Sequence, residues 1–301
     1  MQDCKGVIGI IGMPYCGSTI LSYILGSHTE IYGGADLYKL SPAYDAGCSL
    51  HGDKCTLWTR ENRDSVYRAL EKGQVSYYNR ICELSSKSYI CDASKNPSYF
   101  NNRVLGIDCP TLLVNLCKHP LRHVCSLLFN HHFVKEKNIR GESEIKSYLS
   151  EDWGSAISFI ESSISRIYRH NEEVEEVKFS LGNESWLDIK YEDIVSNSKQ
   201  MISTINQFFG LSFQDGQLQF QNHDLHPIVG NTGPRRKINI GKSPVPLNSD
   251  LRASFYDSGN SSIQMDQKYR LIFNSEQIDA INRINEFEGL CNYLGYPLSP
   301  D

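Results

Sequence analysis

A turn bounded by two glycines follows the first apolar segment of the chain. The turn "GMPYCGST", residues 12–19, comes directly after the apolar run 7–11, which has the length of a buried strand. Its frame of a glycine, four residues and a second glycine is that of a nucleotide-binding P-loop. A P-loop continues with lysine, but this chain has Ser18 and then Thr19. The sequence therefore predicts a P-loop-like strand–loop–helix that cradles an anion without the lysine that grips a triphosphate.

The composition is that of an ordinary globular protein. The chain has 301 residues, of which 40% are hydrophobic and 22% charged, and its net charge is −5 at pH 7. This charge argues against a nucleic-acid partner, because binding to phosphate backbones depends on clustered Lys and Arg. A small anionic ligand is still compatible with it, since a few local cations suffice to bind one.

No charged residue occurs from position 6 to position 26, as in a signal peptide or a membrane span. Pro14, Gly17 and Ser18 interrupt the middle of this stretch, where such segments are most apolar. The interruption favours strand, loop and helix, with a signal peptide as the alternative. We therefore expect a cytoplasmic protein with no membrane partner.

Strand and helix patterns alternate along the chain, which predicts an α/β fold with a mainly parallel central sheet flanked by helices. We expect one domain over residues 1–301, with ligands at the carboxyl ends of the strands. A loop or lid is predicted over 211–270, where the periodicity fades. The predicted strands are 5–11, 88–92, 111–117 and 185–191, and the predicted helices are 17–27, 61–85, 120–133, 144–176, 197–210 and 275–294.

A dense group of thiol and imidazole side chains lies in "GCSLHGDKCTLW", which holds Cys48, His51 and Cys55. A zinc site needs a fourth ligand and closer paired spacing. The sequence favours a structural loop with buried, reduced thiols, and a zinc site is the alternative. We therefore predict no metal site.

Six segments resemble, in the same order, those of bacterial-type sulfotransferases, which use 3′-phosphoadenosine 5′-phosphosulfate (PAPS). The turn "PYCGST" resembles their 5′-phosphosulfate loop, usually Pro-(Lys/Arg)-Ser-Gly-(Thr/Ser)-Thr. PAPS has no γ-phosphate, which accounts for the missing P-loop lysine. The other similar segments are "YICDASKNP" (89–97), "LCKHPLRHVCS" (116–126), "IKYEDIVSNSKQMISTINQFFGL" (189–211), "HPIVGNTGPRRK" (226–237) and "LCNYLGYP" (290–297).

The resemblance implies PAPS as co-substrate, with no metal required, and it implies which residues bind it. The 5′ end would lie on the turn, and the 3′-phosphate on a cationic group from the middle and late chain. Tyr191 matches a tyrosine near the adenine in the family, and Arg122 is a less definite phosphate ligand. The turn residues are Tyr15, Cys16, Gly17, Ser18 and Thr19, and the 3′-phosphate residues are Lys118, Ser126, Arg235, Arg236 and Lys237.

Three residues are candidates for catalysis. Tyr15 stands where the family has a catalytic Lys or Arg. Lys95 lies in "YICDASKNP" and matches the lysine of the family's Asp-Ser-Ser-Lys segment. Asp36 stands 21 positions after Tyr15, the spacing at which tyrosylprotein sulfotransferases carry a catalytic glutamate. We expect Lys95 to supply most of the positive charge and Asp36 to act as the base. Alternative bases are His28, His131 and His132.

The predicted function is transfer of a sulfuryl group from PAPS to a hydroxyl or amine of a small-molecule acceptor. Because Tyr15 replaces the usual cation, a catalytically impaired PAPS- or nucleotide-binding protein is the alternative. A degenerate P-loop kinase is a third possibility, which the missing lysine disfavours. The acceptor pocket is expected from the variable segments 36–60, 130–150 and parts of 211–270. The acceptor and the oligomeric state stay open.

Overall fold

The computed structural model describes residues 3–104, 106–238 and 263–300. In these ranges a sheet of five parallel strands has the order β2-β3-β1-β4-β5. This arrangement confirms the predicted α/β fold. The strands are β1 Gly6–Ile11, β2 Ile31–Ala35, β3 Tyr89–Lys95, β4 Thr111–Cys117 and β5 Trp186–Lys190.

Helices cover the sheet on both sides. Helix α1 follows the β1 turn, and the remaining helices form the connections between later strands and the carboxyl-terminal part. The helices are α1 Ser18–Gly26, α2 Arg60–Glu71, α3 Gln74–Ser85, α4 Pro97–Arg103, α5 Pro120–Leu127, α6 Glu142–Glu151, α7 Trp153–Leu181, α8 Tyr191–Ser196, α9 Ser198–Phe208, α10 Thr232–Arg236, α11 Lys268–Ile272, α12 Ser275–Asn282 and α13 Asn285–Tyr293.

Several predicted helices are divided in the structure. The predicted helix 61–85 is broken at Gly73, which has φ +120°. The predicted helix 144–176 is two helices that meet at Asp152, whose side chain accepts the Ser155 N–H at the start of α7. The predicted helix 275–294 becomes α12 and α13, and 120–133 becomes α5 followed by a π-helix over Leu128–Lys137. The positive φ of Gly73 and the capping side chain of Asp152 therefore divide two of these helical runs sooner than apolar periodicity indicates.

The predicted loop over 211–270 contains local helical structure. A 3₁₀ helix covers Asp215–Asn222, and α10 follows it. Between them the chain returns to the edge of the sheet, where Val229 pairs with Ala35 in a parallel bridge. Residues 239–262, which form less than half of the predicted lid, lie outside the described residues.

The core lies on both faces of the sheet. Strand β1 is buried along its whole length. Tyr23 of α1 packs in the cluster on one face, and Tyr78 of α3 packs in the cluster on the other. Within the described ranges, no helix is long and apolar enough to cross a membrane.

Candidate active site

The turn between β1 and α1 lies at the carboxyl end of the central strand. Strand β1 pairs with β3 on one side and with β4 on the other. The connection after β1 runs toward β2, and the connection after its neighbour β4 runs the opposite way, toward β5, which makes this the switch point where α/β sheets bind ligands. The fold therefore places the anion-binding turn of the sequence in the standard ligand position.

The turn is held in an unusual backbone conformation. Gly17 has φ +105° and precedes α1, and Tyr15 has φ +73°, which is rare for a residue with a side chain. A Cβ on Gly17 would lie 2.7 Å from Cδ2 of Tyr191, whose ring covers the turn. Strained residues of this kind are stable only where the surrounding structure holds them, and they concentrate at functional sites.

Two buried side chains support the turn from below. His123 Nε2 lies 2.8 Å from the carbonyl oxygen of Pro14. Burial and the nearby Lys118 lower the pKa of His123 to about 3, so the ring is neutral and Nε2–H donates to Pro14. Cys16 is fully buried, and burial raises the pKa of its thiol. The thiol of the predicted ligand Cys16 therefore lies in the core, and its backbone N–H donates to the Met13 carbonyl oxygen at 3.2 Å within the turn.

Helix α1 begins at Ser18, so its first amide groups have no earlier carbonyl in the helix to bind. These N–H groups and the positive end of the helix dipole favour an anion in front of the turn. Thr19, a predicted donor ligand that lines the cavity, also has a partner within the protein. Its Oγ1 accepts the N–H of Asn231 at 3.2 Å and links the turn to the late chain.

Two of the five residues predicted to bind a 3′-phosphate already contact a carboxylate of the protein. Lys118 Nζ lies 2.5 Å from Oδ2 of Asp266, and Ser126 Oγ donates to the same oxygen at 3.0 Å. Lys268 Nζ lies 2.7 Å from Oδ1 of Asp266. Lys118, Ser126 and Asp266 are all buried. Lys118 and Ser126 thus form an anion site whose present occupant is a side chain of the same protein.

The charge balance of this site is strong. Burial opposes the ionisation of Asp266, but Lys118 and Lys268 outweigh it and hold the pKa of that carboxyl well below its usual range. The carboxylate is therefore ionised at all physiological pH values. Arg122 Nη1 donates to the Asp266 carbonyl oxygen at 2.5 Å and Nη2 to the Pro300 carbonyl oxygen at 3.0 Å. Arg122 thus positions the Asp266 segment.

One cavity joins the turn to this anion site. Its lining contains many of the predicted donor-binding residues together with side chains that the sequence did not indicate. The lining residues are Tyr15, Gly17, Ser18, Thr19, Ile20, Lys118, Ser126, Asn130, Tyr191, Asn231, Pro234, Lys237, Gln264, Asp266 and Lys268. Amide donors at one end and ammonium groups at the other make this cavity suitable for a ligand with two separate anionic groups.

Lys95 and Asp36 meet beside the turn. Lys95 ends β3 with φ +68°, and its ammonium group donates to Asp36 Oδ1, just beyond the end of β2. The Lys95 carbonyl oxygen accepts the N–H of Gly12 at 3.1 Å, which ties this strand end to the turn. Lys39 Nζ lies 3.5 Å from the other Asp36 oxygen. The two predicted catalytic groups are therefore an ion pair at the carboxyl edge of the sheet.

A comparison with protein-family models matches residues 8–215 to the sulfotransferase family. This match covers more than half of the chain. The chain belongs to the sulfotransferase family. No curated protein gives a significant sequence match.

Solved sulfotransferase structures share the fold. The sulfotransferase domain of the curacin biosynthetic pathway has a TM-score of 0.54 and 17% identity, with 99% of this chain and 100% of that chain covered. The sulfotransferase domain of the Synechococcus PCC 7002 olefin synthase has a TM-score of 0.51 and 14% identity, with 99% and 98% covered. A mouse sulfotransferase complexed with 3′-phosphoadenosine 5′-phosphate (PAP) gives a weaker match. Its TM-score is 0.49 and its identity 12%, with 97% of this chain and 90% of that chain covered.

The three predicted phosphate ligands of the late chain, Arg235, Arg236 and Lys237, lie in two different places. Lys237 lines the cavity, but Arg235 and Arg236 do not. Arg235 Nη1 donates to the carbonyl oxygen of Ser49 at 3.0 Å. Arg235 is therefore engaged with the loop before α2 in this conformation. Burial lowers the pKa of Lys237.

The alternative histidine bases have structural partners. His28 Nε2 lies 3.1 Å from the Ser212 carbonyl oxygen at the far end of α1. His132 is buried and lies 3.0 Å from both Glu136 Oε2 and the Tyr148 hydroxyl. His131 packs edge-on against the Tyr15 ring at 5.7 Å and supports the turn. Of the proposed bases, Asp36 is the one beside Lys95.

Sequence reasoning missed Asp266, Lys268 and His123 as parts of the site. Asp266 lies in the segment without periodicity, and nothing local indicates that it reaches Lys118, 148 positions earlier. His123 could have been found, because it belongs to "LRHVCS", a part of the segment that resembles the family. It lies on α5, just after Lys118, and contacts the turn.

Proposed function

We propose that this sulfotransferase-family chain transfers a sulfuryl group from PAPS to a hydroxyl or amine of a small molecule. The observation that carries the proposal is the single cavity that joins the amide-lined turn to the Lys118–Ser126 anion site. PAPS is an adenylate with anionic groups at both ends, so it matches this charge pattern. The Asp266 carboxylate in the second site supports the proposal, because its oxygens use the donors that a phosphate would need.

The donor-binding roles follow from this arrangement. The first turn of α1 would bind the 5′-phosphosulfate through backbone amides, and Lys118, Ser126 and Lys237 would bind the 3′-phosphate. The Tyr191 ring, which covers Gly17, would bound the adenine. Asp266 must leave Lys118 before a phosphate can bind there. Arg235 and Arg236 would join the site only if α10, which carries them, shifted toward the cavity.

PAPS supplies an activated sulfuryl group on a phosphate leaving group. The acceptor oxygen or nitrogen forms a bond to sulfur while the bond from sulfur to the 5′-phosphate oxygen breaks, and 3′-phosphoadenosine 5′-phosphate (PAP) leaves with the bonding electrons. Lys95 would stabilise the negative charge on the sulfuryl and leaving oxygens. Asp36 would accept the acceptor proton. Tyr15 would donate a neutral hydrogen bond where the family has a cation.

The proposed acceptor is a small molecule rather than a nucleic acid or a membrane. The net charge of −5 disfavours a polyanionic partner. Tyr38 packs edge-on against Tyr44 at 5.4 Å and against Tyr99 at 6.3 Å, close to Lys39 and Asp36. An aromatic wall beside a carboxylate suits an apolar or cationic acceptor.

A second candidate function is a PAPS- or nucleotide-binding protein with impaired catalysis. Tyr15 favours it, because a tyrosine replaces the loop cation and its ring is held against His131. The ion pair between Lys95 and Asp36 favours the enzyme, since it supplies a cation and a base without the loop residue.

Two experiments separate these candidates and test the donor. Thermal unfolding with PAP, AMP or ATP–Mg²⁺ measures which nucleotide binds. PAP at ~100 times its Kd should stabilise the chain by roughly 2.7 kcal/mol, whereas AMP should stabilise it less because it lacks the 3′-phosphate. Transfer from labelled PAPS to a panel of alcohols, amines and phenols then measures turnover. PAP binding without transfer to any acceptor would support the second candidate, and equal stabilisation by AMP and PAP would contradict PAPS as the donor.

A further inference from the structure

We propose that Cys48, His51, Cys55 and His226 bind one structural zinc ion. The first three come from the loop before α2, and His226 reaches them from the late chain. One ligand atom from each of the four lies within 4.8 Å of the others. Cys48 Sγ is 3.2 Å from His51 Nδ1, and Cys55 Sγ is 3.3 Å from His226 Nδ1. The sequence lacked a fourth ligand because His226 is 171 positions from Cys55.

The spacing suits a tetrahedral ion. With bonds of about 2.3 Å to sulfur and about 2.0 Å to nitrogen, a tetrahedral zinc separates a sulfur ligand from a nitrogen ligand by about 3.5 Å. The observed separations between Sγ and Nδ1 are close to this value. Two thiolates and two neutral imidazoles balance the charge of a divalent ion, and four protein ligands leave no open position. The site is therefore structural rather than catalytic.

A carboxylate orients both imidazoles. Asp224 Oδ1 lies 3.0 Å from His51 Nε2, and Asp224 Oδ2 lies 3.6 Å from His226 Nε2. With the Nε2 side of each ring turned to the carboxylate, Nδ1 of each ring faces a sulfur. Histidine ligands of zinc commonly donate their second N–H to a carboxylate, as His51 Nε2 can to Asp224 at 3.0 Å. The His226 contact, at 3.6 Å, is longer than a hydrogen bond. Asp224 therefore supports a metal ion among the four side chains, independently of the distances between their ligand atoms.

The sulfur atoms also have the surroundings of metal-bound thiolates. The backbone N–H of Trp58 donates to Cys55 Sγ at 3.2 Å, and that of His51 donates to Cys48 Sγ at 3.4 Å. Both cysteines are buried, so their sulfur atoms are shielded from solvent and directed inward. Amide donors compensate the negative charge of a thiolate where water cannot.

The ion would connect two segments that flank the cavity. The Ser49 N–H already donates to the Pro227 carbonyl oxygen at 2.9 Å, and Trp58 Nε1 donates to the His226 carbonyl oxygen at 2.8 Å. Beyond His226 the chain pairs with the end of β2 and continues into α10, from which Arg235 donates back to the Ser49 carbonyl oxygen. Zinc would fix both ends of this connection. This role is independent of the proposed sulfuryl transfer.

The decisive test is cobalt binding by the full chain without a histidine tag. The chain is purified under reducing conditions, its metal content is measured by mass spectrometry, and the metal-free protein is titrated with Co²⁺. We expect about one zinc per chain and, with Co²⁺, the visible absorption of a tetrahedral cobalt thiolate that saturates at one equivalent and is lost when zinc is added. Absence of this absorption would overturn the proposal even if the variants below fail to fold.

Matched variants assign the ligands. Cys55→Ser and His226→Gln should lose the bound zinc, whereas Cys109→Ser, which alters a thiol outside the cluster, should retain it. Asp224→Asn should retain the fold and weaken zinc binding roughly 10–100-fold, because Asp224 acts through the histidines. Zinc content unchanged in Cys55→Ser, or a disulfide between Cys48 and Cys55 in the protein as purified, would contradict the site.

Discussion

Lys118 Nζ and Asp266 Oδ2 lie 2.5 Å apart in a buried ion pair, at the place where the family resemblance puts the 3′-phosphate of the donor. Under the proposed function, the protein would therefore contain its own competitor for that phosphate. Binding of PAP would exchange one anion for another at Lys118, so its net free energy would include the loss of the Asp266 contacts.

The first prediction concerns this competition. Asp266→Asn should bind PAP roughly tenfold more tightly, a gain of about 1.4 kcal/mol, because the ligand no longer displaces a carboxylate. The same variant should unfold more easily without ligand, by on the order of 3 kcal/mol, since a buried ion pair is broken. Calorimetry measures the affinity, and thermal unfolding measures the stability. Asp215→Asn, which removes an exposed carboxylate, is the control. A folded Asp266→Asn protein with unchanged PAP affinity would contradict the competition.

The second prediction concerns the cation beside the turn. Lys95→Met should lower kcat by about 10²–10³ with little change in PAP affinity, because its charge acts on the transferring group. Lys39→Met removes the other ammonium near Asp36, at 3.5 Å, and should lower kcat much less. Initial rates with labelled PAPS and equilibrium binding of PAP separate the two effects. If Lys95→Met keeps wild-type turnover, the charge must come from another residue.

The third prediction concerns the base. Asp36→Asn should lower kcat by about 10²–10⁴, because the amide cannot accept the acceptor proton. PAP affinity should be unaffected, since Asp36 does not line the donor cavity. Single-turnover transfer measures the chemical step without product release. His131→Gln is the matched control for the alternative base, and a larger loss in that variant would transfer the role to His131.

The fourth prediction concerns the turn. Gly17→Ala and Gly73→Ala each place a Cβ on a residue with φ above +100°, so each should lose about 1 kcal/mol of stability. At Gly17 the Cβ also lies 2.7 Å from Tyr191 Cδ2, whereas at Gly73 none of the described residues has a heavy atom within 4 Å. Only Gly17→Ala should therefore lose PAP binding. Equal PAP affinity in both variants would show that the Tyr191 contact is irrelevant to the donor.

The fifth prediction is a pH dependence of stability from Asp92. Burial raises the pKa of this carboxyl from 3.8 to about 6, against hydrogen bonds from Ser94, Tyr78 and Tyr99. Between these two values the folded chain holds a proton that the unfolded chain has lost. The free energy of unfolding should therefore fall as the pH rises through this window, by about 3 kcal/mol.

Denaturant unfolding between pH 4 and pH 7 measures this dependence. Asp92→Asn should remove the fall, because the amide does not titrate. Asp188→Asn is the control, since Lys178 and other donors overcome burial and lower the pKa of Asp188, so its effect belongs below the window. A fall that persists in Asp92→Asn would assign the proton to another group.

The parts of the fold that sequence predicts well are those set by local pattern. The strand predicted at 111–117 coincides with β4, because its unbroken apolar run is typical of a strand buried on both faces. Strand β2, "IYGGA", was missed, since two glycines give it no alternation and its stability comes from pairing with β3. Its end nevertheless places Asp36, the candidate base that the spacing from Tyr15 indicated, next to Lys95.

The parts of the site that sequence could not predict depend on long-range contacts. Asp266 reaches Lys118 and His226 reaches Cys55 only after the late chain folds back over the sheet. No local periodicity carries that information. The turn itself was predictable, because the residues that shape it are contiguous and its chemistry lies in the backbone.

The link between Thr19 and Asn231 has a consequence for how a nucleotide enters and leaves. The Asn231 N–H is bound to Thr19 Oγ1, and a Cβ on Gly230 would lie 2.7 Å from the Thr19 methyl carbon. Movement of Gly230 and Asn231 away from the sheet would therefore disturb the first turn of α1, which the proposed donor would require. A passage past Gln264 and Asp266, which line the cavity, would keep this turn intact, and separation of Asp266 from Lys118 would open it. Loading of the donor and escape of the spent nucleotide would then share one gate, and breaking the same ion pair would set the rate of both.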